Sequence, residues 1–175
     1  MHPMIPIRLF CPRFIRSVAL ALWALALSAP ALAVDTGAAA PALALPDAKG
    51  QTVSLAPGKI HYVDFWAAWC APCRHSFPWM NAMVEKYKDK GFEVVAVNVD
   101  TERTEAEDFL KQTPAQFTVV FDPEGSAPAA WGVKGMPTSV LVGRDGKVLF
   151  QHIGFNDRSK DDLEAVIKQA VEAAP

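Results

Sequence analysis

Cys70 and Cys73 stand three positions apart in Trp69-Cys70-Ala71-Pro72-Cys73. That spacing can carry disulfide exchange, form half of a zinc site or, with a histidine next in line, attach haem. Residue 74 is Arg, which removes the haem reading. Structural zinc takes four ligands, the chain has no second Cys-x-x-Cys, and beyond residue 33 only His61, His75 and His152 remain to complete such a site. Disulfide exchange is left, and it needs a thiolate rather than a thiol. A helix amino end supplies one, through unpaired N–H groups and the positive end of the helix dipole. Pro72 fits a first helical turn because its missing N–H would have had no partner there. Residues three apart on a helix are neighbours, so Cys70 is read as the nucleophile and Cys73 as the thiol that resolves a mixed disulfide.

Two further residues are out of place for their surroundings. Asp64 interrupts an apolar run and, if side chains alternate, shares a face with Tyr62 and Trp66. A desolvated carboxyl has a raised pKa and can accept the proton of Cys73, directly or through a water; the competing possibility is a strand-end acid that reaches solvent. Pro137, in Gly135-Met136-Pro137-Thr138, reads from residues alone as an ordinary trans proline opening an edge strand.

The elements that would position these residues follow from pattern. Ile60 to Trp66 and Phe92 to Val99 are β-branched and aromatic without clean alternation, as in central strands buried on both faces. Between them Phe77, Met80, Val84 and Tyr87 form one helical stripe that stops at Gly91. Strand, helix, strand makes a right-handed parallel crossover. Upstream, Gly50 suggests a small hairpin ending at Val53 to Leu55. Downstream, Thr104 and Glu107 are spaced as a capping box for a helix with Ala106, Phe109 and Leu110 inward. Phe117 to Phe121 is a third strand, and Asp122-Pro123-Glu124-Gly125 a turn into a short helix at Ala127 to Trp131. Ser139 to Val142 and Lys147 to Ile153 flank Arg144-Asp145-Gly146 as an antiparallel hairpin. A terminal helix is capped by Ser159 and Asp162, with Leu163, Val166, Ile167, Ala170 and Val171 buried. The expected fold is an α/β mixed sheet, parallel in the centre, ending in an antiparallel C-terminal hairpin, with helices on both faces. Cys70 then falls at the carboxyl end of the first central strand, where open α/β sheets place their sites.

Residues 1–33 read as a cleavable export signal: Arg8, Arg13 and Arg16 precede the apolar run Ser17 to Leu27, and Ala31-Leu32-Ala33 is a small-residue cleavage site. An uncleaved membrane anchor is the alternative, because the apolar character continues to Val34. Cleavage removes Cys11, leaving Cys70 and Cys73 as the only cysteines. A loop that short removes little entropy from the unfolded chain, so redox chemistry explains the pair better than stapling. Of 17 basic and 19 acidic residues the signal carries three Arg. The exported part is therefore acidic, which argues against a nucleic-acid partner. Residues 34–42, rich in Ala and Pro, read as a flexible tether, and residues 43–175 as one domain.

The cysteine motif, with Asp64 six residues before Cys70, Pro78 five after Cys73 and the later Gly135-Met136-Pro137-Thr138-Ser139, resembles the thioredoxin superfamily. The export signal and the long segment between Val99 and Phe117 are similar to its periplasmic TlpA/ResA branch. The resemblance implies that Pro137 is a cis-proline packed near the cysteines and that the Met136 backbone pairs with an extended client by strand addition. Trp69, Ala71 and Pro72 flank the pair and would touch the same client. The chain departs from the ResA pattern at Ser76, where an acid is usual, and at Asp64, where Asn is frequent. Ala96 stands where thioredoxin puts a lysine beside its acid.

The expected activity is that of a thiol-disulfide oxidoreductase in the periplasm or another extracytoplasmic space, acting on exported proteins as a reductase. It would be monomeric, recharged by a membrane electron carrier, and without cofactor or metal beyond its own redox-active disulfide. Two alternatives carry different chemistry: a Cu(I)-handling factor for oxidase or cytochrome c assembly, since soft thiolates suit that ion, and a general disulfide oxidant. A peroxidase is disfavoured by the absence of a peroxiredoxin-type Thr-x-x-Cys.

Overall fold

The computed structural model describes residues 34–173; the expected export signal, with Cys11 and the cleavage point, lies outside the described residues. Leu45–Pro46 (β1) and Thr52–Val53 (β2) pair antiparallel around Gly50, forming the small hairpin expected there. Next come Ile60–Trp66 (β3), Ala71–Tyr87 (α1), Phe92–Asn98 (β4), Arg103–Gln112 (α2) and Thr118–Phe121 (β5). Ser126–Ala130 (α3), Thr138–Val142 (β6), Val148–Ile153 (β7) and Ser159–Glu172 (α4) complete the chain. Among the described residues no helix is long and apolar enough to cross a membrane.

Five strands form one sheet in the order β5-β4-β3-β6-β7, with β3, β4 and β5 parallel and β6 and β7 antiparallel to their neighbours. β3 is central and buried along its whole length. The missing alternation in its sequence has that cause: both faces are covered, so each face needs apolar residues. On one face Tyr62, Trp66, Val94 and Leu141 pack with Phe77 and Met80 of α1, Phe109 of α2 and Ile167 of α4. On the other, Val63, Phe65, Val97 and Val140 pack with Ala127 of α3 and with Trp131.

The helix limits show where local signals prevail. α1 passes through a 3-10 turn at Lys88–Lys90 and stops at Gly91, whose φ of 75° lies in the left-handed region that glycine enters without strain. The expected capping box of α2 does not form: no side chain caps it, and Thr104 lies inside its first turn. Its start is held instead by Arg103, whose guanidinium lies 3.4 Å from the Phe121 ring centroid and pairs with Glu107. Ser159 and Asp162 likewise do not cap α4. Its N-cap, Arg158, has no side-chain bond, and the turn before it is held reciprocally: the Asn156 side-chain oxygen accepts the backbone N–H groups of Arg158 and Ser159, and the Ser159 hydroxyl accepts Asn156 N–H.

Residues 34–42, expected as a flexible tether, are partly fastened to the domain. Gly37 N–H donates to Val148 O, Val148 N–H to Ala38 O and Ala40 N–H to Gly146 O. Composition suggested a loose linker, but the open edge of β7 leaves backbone groups unpaired, and this segment satisfies some of them.

Candidate active site

Cys70 is the N-cap of α1, with extended backbone (φ −81°, ψ 102°), and no acidic residue follows in the first turn. Its N–H donates to Ala67 O at 3.1 Å, and Cys73 N–H donates to Cys70 O at 3.1 Å, so a tight turn leads straight into the helix. The two cysteines form a disulfide with Cα atoms 5.4 Å apart. Cys73 is wholly buried and Cys70 nearly so, which leaves Cys70 the more approachable sulfur. Pro72 occupies the first turn, as its sequence position predicted. Ser76 is buried behind the pair and donates its hydroxyl to Cys73 O.

Trp66 forms the floor of the site. It packs against Phe77 of α1 and Phe109 of α2 with ring centroids 4.8 Å and 4.6 Å away. The segment between β4 and β5 therefore supports the cysteine helix rather than lying apart from it. Trp69 is different: 69% of it is exposed, leaving a broad apolar surface immediately before Cys70. Two charged or polar residues unmarked in the sequence hold the turn between them. Asp100, buried at the end of β4, accepts Ala68 N–H at 2.8 Å and the Asn98 side-chain amide at 2.7 Å on the same oxygen.

Asp64 is fully buried, which excludes a solvent-reaching acid. It pairs with Ala96 on β4 and Ser139 on β6, so the lysine position of thioredoxin is an apolar wall here. Tyr62, Trp66 and Ala96 around it belong to the same core cluster as Cys70 and Cys73. Burial pushes the Asp64 carboxyl up to about 7, while a hydrogen bond from the Ser139 hydroxyl to Oδ1, 2.7 Å long, pulls it down. The acid is thus poised to hold or release a proton near neutral pH, on the face of the sheet that carries the cysteines.

The Met136–Pro137 peptide bond is cis, as the resemblance implied. Pro137 is buried and Met136 partly so. The loop is fixed by Thr138, whose hydroxyl donates to Gly135 O at 2.7 Å, and by Gly154 N–H, which donates to Pro137 O at 2.8 Å. A cavity beside the pair has Ala71, Pro72 and His75 on one side and Phe155, Asn156 and Asp157 on the other.

The structure therefore places Asp64 on the sheet face whose core cluster holds Cys70 and Cys73, and leaves Trp69, Ala71 and Pro72 around the approach to the pair. Sequence reasoning missed Ser139, Asn98, Asp100 and the Phe155 to Asp157 wall. For Ser139 a signal existed: if the β3 to β6 pairing is drawn, a hydroxyl beside Asp64 follows.

Known proteins resemble this chain along the same span. The Redoxin family pattern matches residues 35–167. The thiol-disulfide oxidoreductase ResA of Bacillus thuringiensis is 34% identical over 138 residues, covering 78% of this chain and 79% of the relative. ResA of Bacillus subtilis is 34% identical over 118 residues, 66% of each chain. Among solved structures, a Chlorobium tepidum protein assigned as the thiol:disulfide interchange protein DsbE is 55% identical, with a TM-score of 0.77 over 79% of this chain and 99% of that one. The thioredoxin domain of a thiol-disulfide oxidoreductase from Bacteroides vulgatus is 28% identical, with a TM-score of 0.72 over 80% of this chain and 100% of that one.

Proposed function

The chain belongs to the Redoxin family and is a thiol-disulfide oxidoreductase of the ResA/DsbE type, and from that premise we propose that it works as a reductase of exported proteins. The observation that carries the mechanism is the Cys70–Cys73 disulfide at the start of α1, with Cys70 at the cap and the buried carboxyl of Asp64 on the same face. In the reduced protein the Cys70 thiolate attacks a client disulfide, forms the Cys70–client bond and releases one client thiolate. Cys73 then gives its proton to ionised Asp64 and attacks Cys70 Sγ. The Cys70–Cys73 bond closes, and the second client thiolate leaves. The protein ends two electrons poorer and the client two richer. A membrane electron carrier of the thiol-reductase type restores the dithiol.

The client lies as an extended segment against the Met136 backbone, with Trp69, Ala71 and Pro72 beneath its cysteine. The protein acts outside the cytoplasm, released by cleavage after Ala33.

Direction is tested by equilibrium titration of the pair. A reductase should sit near the about −270 mV of thioredoxin, and a value near the about −120 mV of DsbA would make it an oxidant.

A further inference from the structure

Asp64 has no solvent exposure, so its carboxyl can exchange a proton with bulk water only through the protein. The sheet register supplies one row to an edge. Asp64 on β3 pairs with Ser139 on β6, and Ser139 pairs with His152 on β7, the outermost strand on that side. Directly paired residues project on the same face, with Cβ atoms about 4.5–5.5 Å apart. The next row on this face, Tyr62, Leu141 and Phe150, is packed with apolar contacts apart from the Tyr62 hydroxyl, which interacts with Asp64 and Ser139. The row through Asp64 is polar in all three strands.

Its atoms are also unevenly satisfied. Ser139 donates to Asp64 Oδ1, yet Asp64 Oδ2 and His152 Nε2 are buried with no partner. The imidazole lies parallel to the Phe150 ring, centroids 6.3 Å apart, while the residue as a whole remains partly exposed. A buried nitrogen without a partner loses its hydration for no hydrogen bond in return. Packing against Phe150 would be served equally by an apolar ring.

We propose that Asp64, Ser139 and His152 form a proton relay that connects the buried carboxyl to solvent at the edge of the sheet. The relay rests on Asp64 being the proton acceptor for Cys73. Protonated Asp64 gives its proton to Ser139 Oγ, and Ser139 passes its own proton to His152 Nε2 when the imidazole, whose Nε2 has no partner at rest, swings onto the Ser139 hydroxyl. The imidazolium then releases a proton from Nδ1 to water. One proton moves, no electrons move, and rotation of the hydroxyl returns Ser139 to its starting bond. Run backwards, the same path loads Asp64.

The test follows the Asp64 carboxyl infrared band after a rapid pH jump across neutral pH in the full oxidised protein, with mixed-disulfide resolution measured separately. His152→Gln should slow relaxation of the band about tenfold or more, given the 10²–10⁴ in rate that acid–base groups supply. The equilibrium titration midpoint should stay in place, and added imidazole should restore the rate in proportion to its concentration. Ser139→Ala should slow relaxation as much, although its midpoint moves. Unchanged relaxation in either variant, or slowing that imidazole does not relieve in His152→Gln, overturns the relay. Asp64→Asn separates the underlying reading: if it slows resolution while His152→Gln leaves relaxation untouched, Asp64 is the acceptor and the relay is wrong. If Asp64→Asn resolves at the normal rate, the acceptor role itself fails.

Discussion

The Ser139 hydroxyl donates a 2.7 Å hydrogen bond to one oxygen of Asp64, and the other oxygen of that buried carboxylate has no partner. One donor in place of two leaves burial as the stronger influence, which is why the acid is held up at about 7 rather than at its ordinary 3.8.

That imbalance makes stability depend on pH with a definite sign. Below about pH 4 the group is protonated in both folded and unfolded chains and contributes nothing. Between 3.8 and about 7 the unfolded chain loses the proton while the folded one keeps it. Stability therefore falls as pH rises through this window, by up to roughly 4 kcal/mol, and then levels off. Asp64→Asn cannot ionise, so it should be more stable than the parent at pH 8 and converge with it near pH 4. Urea unfolding of the oxidised protein at several pH values measures the gap, and a gap that does not depend on pH contradicts the assignment.

Ser139→Ala removes the donor that favours the carboxylate, so the Asp64 carboxyl should titrate higher still. Its infrared or NMR titration reads the shift directly. A midpoint that moves down, or does not move, would mean that the hydrogen bond does not govern the acid.

Much of the fold was legible because β3, β4 and α1 carry local signals that agree with their burial: apolar runs, a 3.6-residue stripe and a glycine stop. The cysteine site was legible for a related reason, since Cys70, Pro72 and Cys73 act through spacing on one helix. Asp64 stood out as an acid among apolar residues. Ser139, Asp100 and His152 did not, because each acquires its role from a strand or turn distant in sequence. The caps of α2 and α4 were misplaced because tertiary contacts of Arg103 and a turn at Asn156 prevailed over spacing. Residues 34–42 looked loose because composition does not record an open strand edge waiting at Lys147.

Asp100 gives a sharper expectation than its unremarkable sequence position suggests. Asp100→Ala leaves Ala68 N–H and the Asn98 amide without their shared acceptor, and each orphaned buried donor costs about 1–3 kcal/mol. Stability should fall by about 2–6 kcal/mol in denaturant titration, with thiol-disulfide exchange slowed because the Ala67-to-Cys70 turn loosens. A loss under 0.5 kcal/mol, the ordinary scale of a surface change, contradicts a structural role.

Trp69 should affect clients rather than chemistry. It is exposed beside the cap and takes little part in the core. Trp69→Ala should raise KM for a protein disulfide several-fold while leaving the rate with a small disulfide near that of the parent. Equal losses on both substrates would place Trp69 in the support of Cys70 instead.

The division of labour within the pair is tested most directly by trapping. Reduced Cys73→Ser protein, mixed with disulfide-bonded exported proteins and quenched with acid, should hold clients as mixed disulfides on Cys70. Cys70→Ser should hold none. Adducts on Cys73 in the Cys70→Ser protein, or no adducts on Cys70 in the Cys73→Ser protein, would contradict the assignment of Cys70 as the attacking thiol and Cys73 as the resolving one.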